Sequence, residues 1–296
     1  MKILKLGDSG SEVEQLQNQL KQLGFDIGIV DGQFGQKTKL AVEKFQKEKG
    51  LTVDGIAGDV TLEELFNPSQ KPLILGIDVA SIDVNESSIN WQAVKKGNIS
   101  FAFIKATEGG DWPSNPPDNK WFENNWPKMK QAGLIRGAYH FFQPLTNVEA
   151  QVQNFLKKVK LELSDLPPAL DVEDYPPQVA ERWGQINLNE RINRITQWLQ
   201  TVEKEIGRRP TIYTNPNFWK NFMNETEEFT DYSLWLANYD VVKPTIPANN
   251  WGGKGYTIWQ NTQRGAVNGI SGDVDQNRFN GSLEQLIAFV NSTKVA

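Results

Sequence analysis

At 296 residues the chain exceeds one typical domain, and its 39% hydrophobic and 23% charged residues are ordinary globular values. A net charge of −5 without a long basic run argues against nucleic acid as a partner, because phosphate binding needs a clustered positive face. Cysteine is absent and His140 is the single histidine, which excludes a thiol nucleophile, a disulfide framework and a zinc site built on several His or Cys ligands. No run of about 18 apolar residues is present, so no membrane-spanning helix is expected. Residues 1–10 lack the apolar core of a signal peptide, so export is expected by another route, such as release through a lysing membrane. A Ser–His–Asp triad would have to use His140, and no G-x-S-x-G elbow accompanies it. Composition thus leaves carboxylate chemistry, with no metal or cofactor implied. Ten tryptophans fit either a large core or a groove in which flat rings stack on sugars.

In chain order, Val13, Leu16, Leu20 and Leu23 follow helical spacing, with Gly24 placed to end the helix. A turn motif, V-D-G-x-x-G-x-x-T, begins at Val30 and recurs at Val53. Asp-Gly signals a turn, the second Gly permits unusual backbone angles, and Thr38 and Thr61 stand near helix starts. Ala41, Val42 and Phe45 mark a second helix, and Leu62 and Leu65 a third. A compact three-helix domain is expected over residues 1–67.

These residues resemble the peptidoglycan-binding domain type 1 family. The resemblance spans residues 4–66 and includes Leu6-Gly7-Asp8-Ser9-Gly10, Leu16-Gln17, Leu23-Gly24-Phe25, Ala41-Val42-Glu43-Lys44-Phe45-Gln46 and both turns. It implies attachment to bacterial peptidoglycan, which the acidic bulk charge would not supply by itself.

Residues 68–72 read as a polar, Pro-bearing linker to a second domain at 73–296. There, short apolar runs alternate with longer amphipathic stretches, the pattern of a mostly parallel α/β architecture. Strands are expected at 73–79, 99–106, 134–142, 169–173, 211–214, 234–239 and 257–260, with an eighth near 273–277. Helices are expected at 121–132, 148–159, 188–206 and 283–290. Having fewer helices than strands, the domain reads as a flattened, incomplete (β/α) TIM-like barrel.

Leu170-Asp171-Val172-Glu173 ends an apolar strand in two acids separated by one residue, so both side chains point to one face. Asp174-Tyr175-Pro176-Pro177 terminates the strand and places them at its C-terminal end, where parallel barrels carry their sites. Such neighbours cannot both ionise cheaply, and the one that keeps its proton is suited to general-acid work. The alternative is a solvated strand edge, against which Pro167-Pro168-Ala169-Leu170 argues for burial. Asp78 ends the first strand of this domain, and Asp273 and Asp275 flank the eighth. With Cα atoms roughly 6–7 Å apart by strand rise, Asp171 and Glu173 approach a sugar from nearly the same side. That favours retention assisted by the substrate's own acetamido group, with direct attack by Asp78 or Asp275 left open.

The second domain resembles glycoside hydrolase family 25, the muramidases. The residues that carry this are Gly76-Ile77-Asp78, Phe103-Ile104-Lys105-Ala106-Thr107-Glu108-Gly109, Ala132-Gly133-Leu134-Ile135-Arg136-Gly137-Ala138-Tyr139-His140-Phe141 and Leu170-Asp171-Val172-Glu173. Ile212-Tyr213-Thr214, Leu234-Trp235-Leu236-Ala237-Asn238-Tyr239, Ile258-Trp259-Gln260 and Val274-Asp275-Gln276-Asn277-Arg278-Phe279 complete it. The resemblance implies Glu173 as general acid/base, Asp171 as the group beside the 2-acetamido substituent, and Asp78 and Asp275 as flanking acids. It implies Tyr139, Tyr213, Trp235 and Trp259 as saccharide contacts, with plain core aromatics as the alternative for each. Lys105, in register with Phe101 and Phe103, is read as pointing inward, where its charge would hold an acid. His140 alternates with Tyr139 and is given no catalytic role. The Pro-rich stretch 111–118 departs from the pattern near the mouth.

The function read from this is a monomeric peptidoglycan hydrolase cutting β-1,4 bonds between N-acetylmuramic acid and N-acetylglucosamine, outside the cytoplasmic membrane. Two other readings are a chitinase-like hydrolase on the same barrel and a non-catalytic wall-binding protein. The wall-binding domain argues against the first, and the retained acids argue against the second.

Overall fold

The computed structural model describes residues 3–49, 51–66, 73–80, 89–110 and 120–292. The chain divides into two compact units, Met1–Lys71 and Pro72–Ala296. The linker expected at 68–72 and the stretch 111–118 lie outside the described residues. None of the described helices is long and apolar enough to cross a membrane.

The first unit holds three helices, α1 Ser11–Gln22, α2 Gln36–Glu48 and α3 Asp59–Phe66. Their apolar faces (Val13, Leu16 and Leu20; Ala41, Val42 and Phe45; Leu62 and Leu65) meet in one buried cluster with Leu4, Ile27 and Phe34. Leu23 is the exposed C-cap of α1. There Gly24, at φ 86°, reverses the chain so that Phe25 N donates to Leu20 O at 3.0 Å.

The repeated turn has one physical cause, used twice. Gln17, buried on α1, accepts hydrogen bonds from the amides of Asp31 and Gly32 at 3.1 and 2.9 Å. Its amide nitrogen donates to Asp31 Oδ1, Gln33 O and Thr38 Oγ1 at 3.0, 3.0 and 3.1 Å. Gln46, buried on α2, repeats the set: it accepts from Asp54 N and Gly55 N at 3.1 and 3.0 Å. It donates to Asp54 Oδ1, Ile56 O and Thr61 Oγ1 at 2.8, 2.9 and 3.1 Å. Gly32 and Gly55 sit at φ 67° and 70°, a region closed to most side chains, which explains the invariant D-G of the repeat. The Gln17 amide is the first cause holding the Asp31 carboxyl below its usual range, and the amide of Ile56 is the first cause for Asp54, followed by Gln46.

The second unit begins β1 Ile74–Val79, α4 Trp91–Lys96, β2 Ile99–Glu108, α5 Trp121–Gln131, β3 Ile135–Phe141, α6 Val148–Lys158 and β4 Ala169–Asp171. It continues α7 Pro177–Gly184, α8 Leu188–Ile206, β5 Thr211–Thr214, α9 Pro216–Met223, β6 Ser233–Ala237, α10 Pro247–Gly252, β7 Ile258–Gly265, β8 Val274–Phe279 and α11 Leu283–Ser292. The strands close into a barrel in sequence order, which corrects the expectation of an incomplete one. What departs from eight-fold symmetry is direction. Strands β1 to β7 pair in parallel, whereas β8 runs antiparallel to both β7 and β1. The connection 266–273 is too short for a parallel crossover, which takes about a dozen residues or more, so the chain returns as a hairpin.

The helices α4, α7, α9 and α10 were not anticipated, being too short to display a helical period. Three of them open on proline at Pro177, Pro216 and Pro247, a start signal that tolerates a missing N–H. The turn α10 is left-handed, with Ala248 to Trp251 at φ between 52° and 57°. Burial of Ala248 and Trp251 accompanies it, and Trp251 Nε1 donates to Tyr232 O at 2.7 Å.

One core lies between barrel and helices, and a second fills the barrel with Phe101, Phe103, Tyr139, Tyr213, Trp235, Ile258 and Phe279. Inward rings need room from the next strand: a Cβ on Gly76 or Gly137 would stand 2.3 Å from the ring of Phe101 or Phe103. His140 faces outward, fully buried, between Thr107 Oγ1 at 2.8 Å and Gln151 Oε1 at 3.1 Å, and stacks on Trp198. Burial lowers its pKa to about 3, so it stays neutral and structural.

Replacing Gln46 with Ala strips partners from two backbone amides and a hydroxyl, and should destabilise the first unit by about 2–4 kcal/mol. All ten tryptophans lie at or beyond Trp91, so the tryptophan-fluorescence melt should stay in place while hydrogen exchange at 54–56 accelerates. Wild-type protection at those amides would show that the turn holds without its glutamine.

Candidate active site

The parallel strands deliver their C-terminal ends to one mouth, and a cavity of about 1160 Å³ opens there. Asp78 comes from β1, Lys105 and Glu108 from β2, Tyr139 from β3, and Asp171 and Glu173 from β4 and the residues just after it. Tyr213 and Trp235 come from β5 and β6. Asp275 reaches the same mouth only because β8 is reversed, so that its start rather than its end lies there. In the β1–β8 ladder Asp275 is the register partner of Asp78.

Asp78 is held from the strands on the far side of the barrel seam. Its Oδ1 accepts from Gln260 Nε2 and from Asn277 Nδ2, both at 2.7 Å. Each amide is oriented in turn by aromatic donors. Asn277 Oδ1 accepts from Trp235 Nε1 at 2.7 Å, and Gln260 Oε1 accepts from Tyr213 Oη at 2.8 Å and also from Tyr239 Oη. Burial, as the first cause, raises the pKa of both tyrosines, which keeps them as donors. With the oxygen ends engaged, the amide NH2 ends can only face the carboxylate.

Asp171 is buried and its Oδ1 has no hydrogen-bond partner among the described residues. Burial pushes its carboxyl well above the ordinary 3.8, the negative charge of Glu173 adds to this, Lys105 opposes it, and Asp78 and Glu108 raise it further. Asp171 therefore has a raised affinity for protons. Glu173 lies just past β4, half-buried, with its backbone oxygen accepting from Trp183 Nε1 at 2.9 Å. The regular strand ends at Asp171 rather than 173, although Val172 N still donates to Tyr213 O at 2.9 Å. Both acids line the cavity, as the alternation implies.

Lys105 does point inward, but its ammonium pairs with Glu108 Oε2 at 2.7 Å and stands 4.5 Å from the centre of the Phe141 ring. Glu108 Oε1 accepts from Gln143 Nε2 at 2.7 Å, and Gln143 Oε1 accepts from Arg182 at 2.5 Å. Trp235 is fully buried, stacked on Phe103 at 4.3 Å, and forms the floor with Tyr139 and Tyr213 edge-on against it.

Trp259 is not part of the cavity lining. It pairs in register with Leu236, whereas Gln260 pairs with the cavity residue Ala237, so alternation turns Trp259 to the outer face. Its indole donates to Asn238 O at 2.8 Å and its ring lies beneath Arg278. Sequence reasoning gave no role to Glu108, Tyr239, Gln260 or Asn277. Alternation held a signal for two of them: Gln260 follows the outward Trp259, and Asn277 stands two residues beyond Asp275 on the same face.

The family model for glycosyl hydrolases family 25 matches residues 77–270, and that for a peptidoglycan binding domain matches residues 9–65. The chain is 37% identical over 226 residues to the protein YegX of Escherichia coli K12, covering 75% of each. It is 32% identical over 279 residues to Lysozyme M1 of Streptomyces globisporus, covering 91% of this chain and 85% of that one. Among solved structures it resembles a bacterial lysozyme from Streptomyces coelicolor, with a TM-score of 0.66 at 32% identity over 74% of this chain and 98% of that one. Spanning the strands that carry Asp78, Asp171 and Glu173, the first match makes the chain a member of glycosyl hydrolases family 25, with a peptidoglycan binding domain ahead of the barrel.

Proposed function

We propose that the cavity hydrolyses the β-1,4 bond between N-acetylmuramic acid and N-acetylglucosamine in peptidoglycan, with Glu173 as general acid/base and Asp171 as the partner of the 2-acetamido N–H. The observation that carries this is the buried Asp171 Oδ1, which has no hydrogen-bond partner among the described residues. An unsatisfied buried acceptor costs about 1–3 kcal/mol, and an acetamido N–H entering the cavity supplies the missing donor.

Glu173 gives its proton to the leaving oxygen as the C1–O bond breaks. The acetamido carbonyl oxygen attacks C1 and forms a five-membered oxazoline ring, while Asp171 takes up the N–H proton. A raised affinity for protons, as burial gives Asp171, is what that base requires. Water then attacks C1 as the ring's C1–O bond opens, its proton passes to the Glu173 carboxylate, and Asp171 returns the proton to nitrogen. Asp78, fixed by Gln260 and Asn277, and its register partner Asp275 flank this centre with negative charge. Tyr139, Tyr213 and Trp235 form the floor beneath the sugar. The first unit, held to the wall, raises the local concentration of substrate for the barrel without touching the chemistry.

Glu173→Gln keeps the shape of the side chain but cannot donate a proton, so turnover of purified walls should fall by about 10²–10⁴-fold with the melting curve unmoved. Turnover above about a tenth of wild type would remove Glu173 from the acid role.

Early-time NMR of the released muramic acid reducing end should show the β-anomer first, as substrate assistance requires. An initial α-anomer would mean inversion and would make a second carboxylate the base for water.

The pH dependence of stability gives an independent check on Asp171. Between the ordinary 3.8 and its raised folded value, the folded protein holds a proton that the unfolded chain releases, so this group costs stability as pH rises. Asp171→Asn should therefore stabilise the barrel at pH 7, by about 0.5–2 kcal/mol in urea unfolding, while losing activity. The gain should fade as pH falls towards 3.8. A destabilised variant at pH 7 would show that the native carboxylate is ionised and well satisfied.

A further inference from the structure

Among the described residues, Tyr175 is the single exposed aromatic, 69% accessible, and it lines the catalytic cavity. Every other described Phe, Tyr or Trp is buried or half-buried, whether in a core or on a helix. Its place in the chain is as specific as its exposure: it stands two residues beyond Glu173, on the segment between β4 and α7. Within the described residues its ring packs on no other ring and its hydroxyl bonds to nothing. A large ring left open to water is normally unfavourable, and an aromatic body with a polar tip suits a surface that is apolar on one side and wet on the other.

The surroundings place polar side chains on the same rim of the cavity. Asp174 and Asn217 also line the cavity, as does Asn215, whose amide donates to Asp174 Oδ1 at 3.4 Å. They offer carboxylate and amide groups for sugar hydroxyls. Asn215 Oδ1 is already used, accepting from Phe218 N at 2.8 Å to cap α9, so this side of the rim is fixed to a helix start. The buried floor, by contrast, is formed by rings already committed: Trp235 donates to Asn277, and Tyr213 to Gln260.

We propose that Tyr175 is the platform of an outer saccharide subsite, stacking on the apolar face of a sugar beyond the pair joined by the scissile bond. It would select extended glycan strands over short ones. The proposal rests on the function assigned above, and takes as ligand the pyranose ring of a β-1,4-linked amino-sugar strand. Tyr175 binds substrate and takes no part in proton transfer.

The test uses the full chain and two substrates: long glycan strands freed of peptide, and the tetrasaccharide of two repeats. Tyr175→Ala should lower the ratio of kcat/KM on strands to kcat/KM on tetrasaccharide by about tenfold, through KM on the strands, and Tyr175→Trp should restore it. Tyr175→Phe should stay near wild type if the ring face carries the contact. An unchanged ratio overturns the platform, as does a loss that falls on kcat for both substrates, which would place Tyr175 in support of Glu173. Wild-type protein that cuts neither substrate would bring down the functional reading itself, a result separable from a wild-type enzyme that cuts both and a variant that matches it.

Discussion

One carboxylate oxygen ties the barrel's beginning to its end. Asp78 Oδ1, on β1, receives Gln260 and Asn277 from 182 and 199 residues further along the chain. Contacts of such separation form only once the intervening strands are in place, so the ordering of this acid depends on closure of the whole sheet. The same closure brings β8 back antiparallel, setting Asp275 beside Asp78 and pointing Asn277 inward. Reversal of one strand therefore does more than seal an edge. It gives the mouth an acid from a strand start, which a fully parallel barrel would have left at the opposite end.

Electrostatics at the mouth follow from how differently its acids are satisfied. Asp78 faces two amides whose orientation is dictated by Trp235, Tyr213 and Tyr239. Glu108 has an ammonium on one oxygen and an amide on the other. Asp171, buried among these charges, has an oxygen without a protein partner among the described residues. Burial first, and the negative charge of Glu173 second, push the Asp171 carboxyl above its ordinary range, and no described donor offsets them at that oxygen.

Much of this was legible in the sequence, and the misses share a physical character. Strand positions came from apolar runs, and the joint presence of Asp171 and Glu173 on one face followed from the two-residue period. The reversed β8 was missed because direction depends on the length of the connection, not on the strand's own pattern. Short helices such as α7 and α9 were missed because eight residues carry too little period, although proline at the first position marked them. Aromatic type points to Trp259 as a sugar contact, but alternation decides the face: the adjoining Gln260 is the one that turns inward. Tyr213 and Trp235 were read as sugar contacts, but hydrogen bonding to Gln260 and Asn277 is a tertiary fact that one sequence does not display. In the first unit the turns were plain, whereas the glutamines that hold them stand on preceding helices and looked like ordinary polar positions.

Those two glutamines set the terms on which the first unit can vary. Each grips its turn through backbone groups, the one carboxylate that both copies share and one hydroxyl, and at the third turn residue it touches only the carbonyl of Gln33 or Ile56. Both of those side chains are exposed. Shape and surface chemistry are thereby uncoupled: the fold reads the main chain at these positions, and solvent meets the side chain. The side chains displayed on either turn can be exchanged, one independently of the other, while the architecture stays fixed.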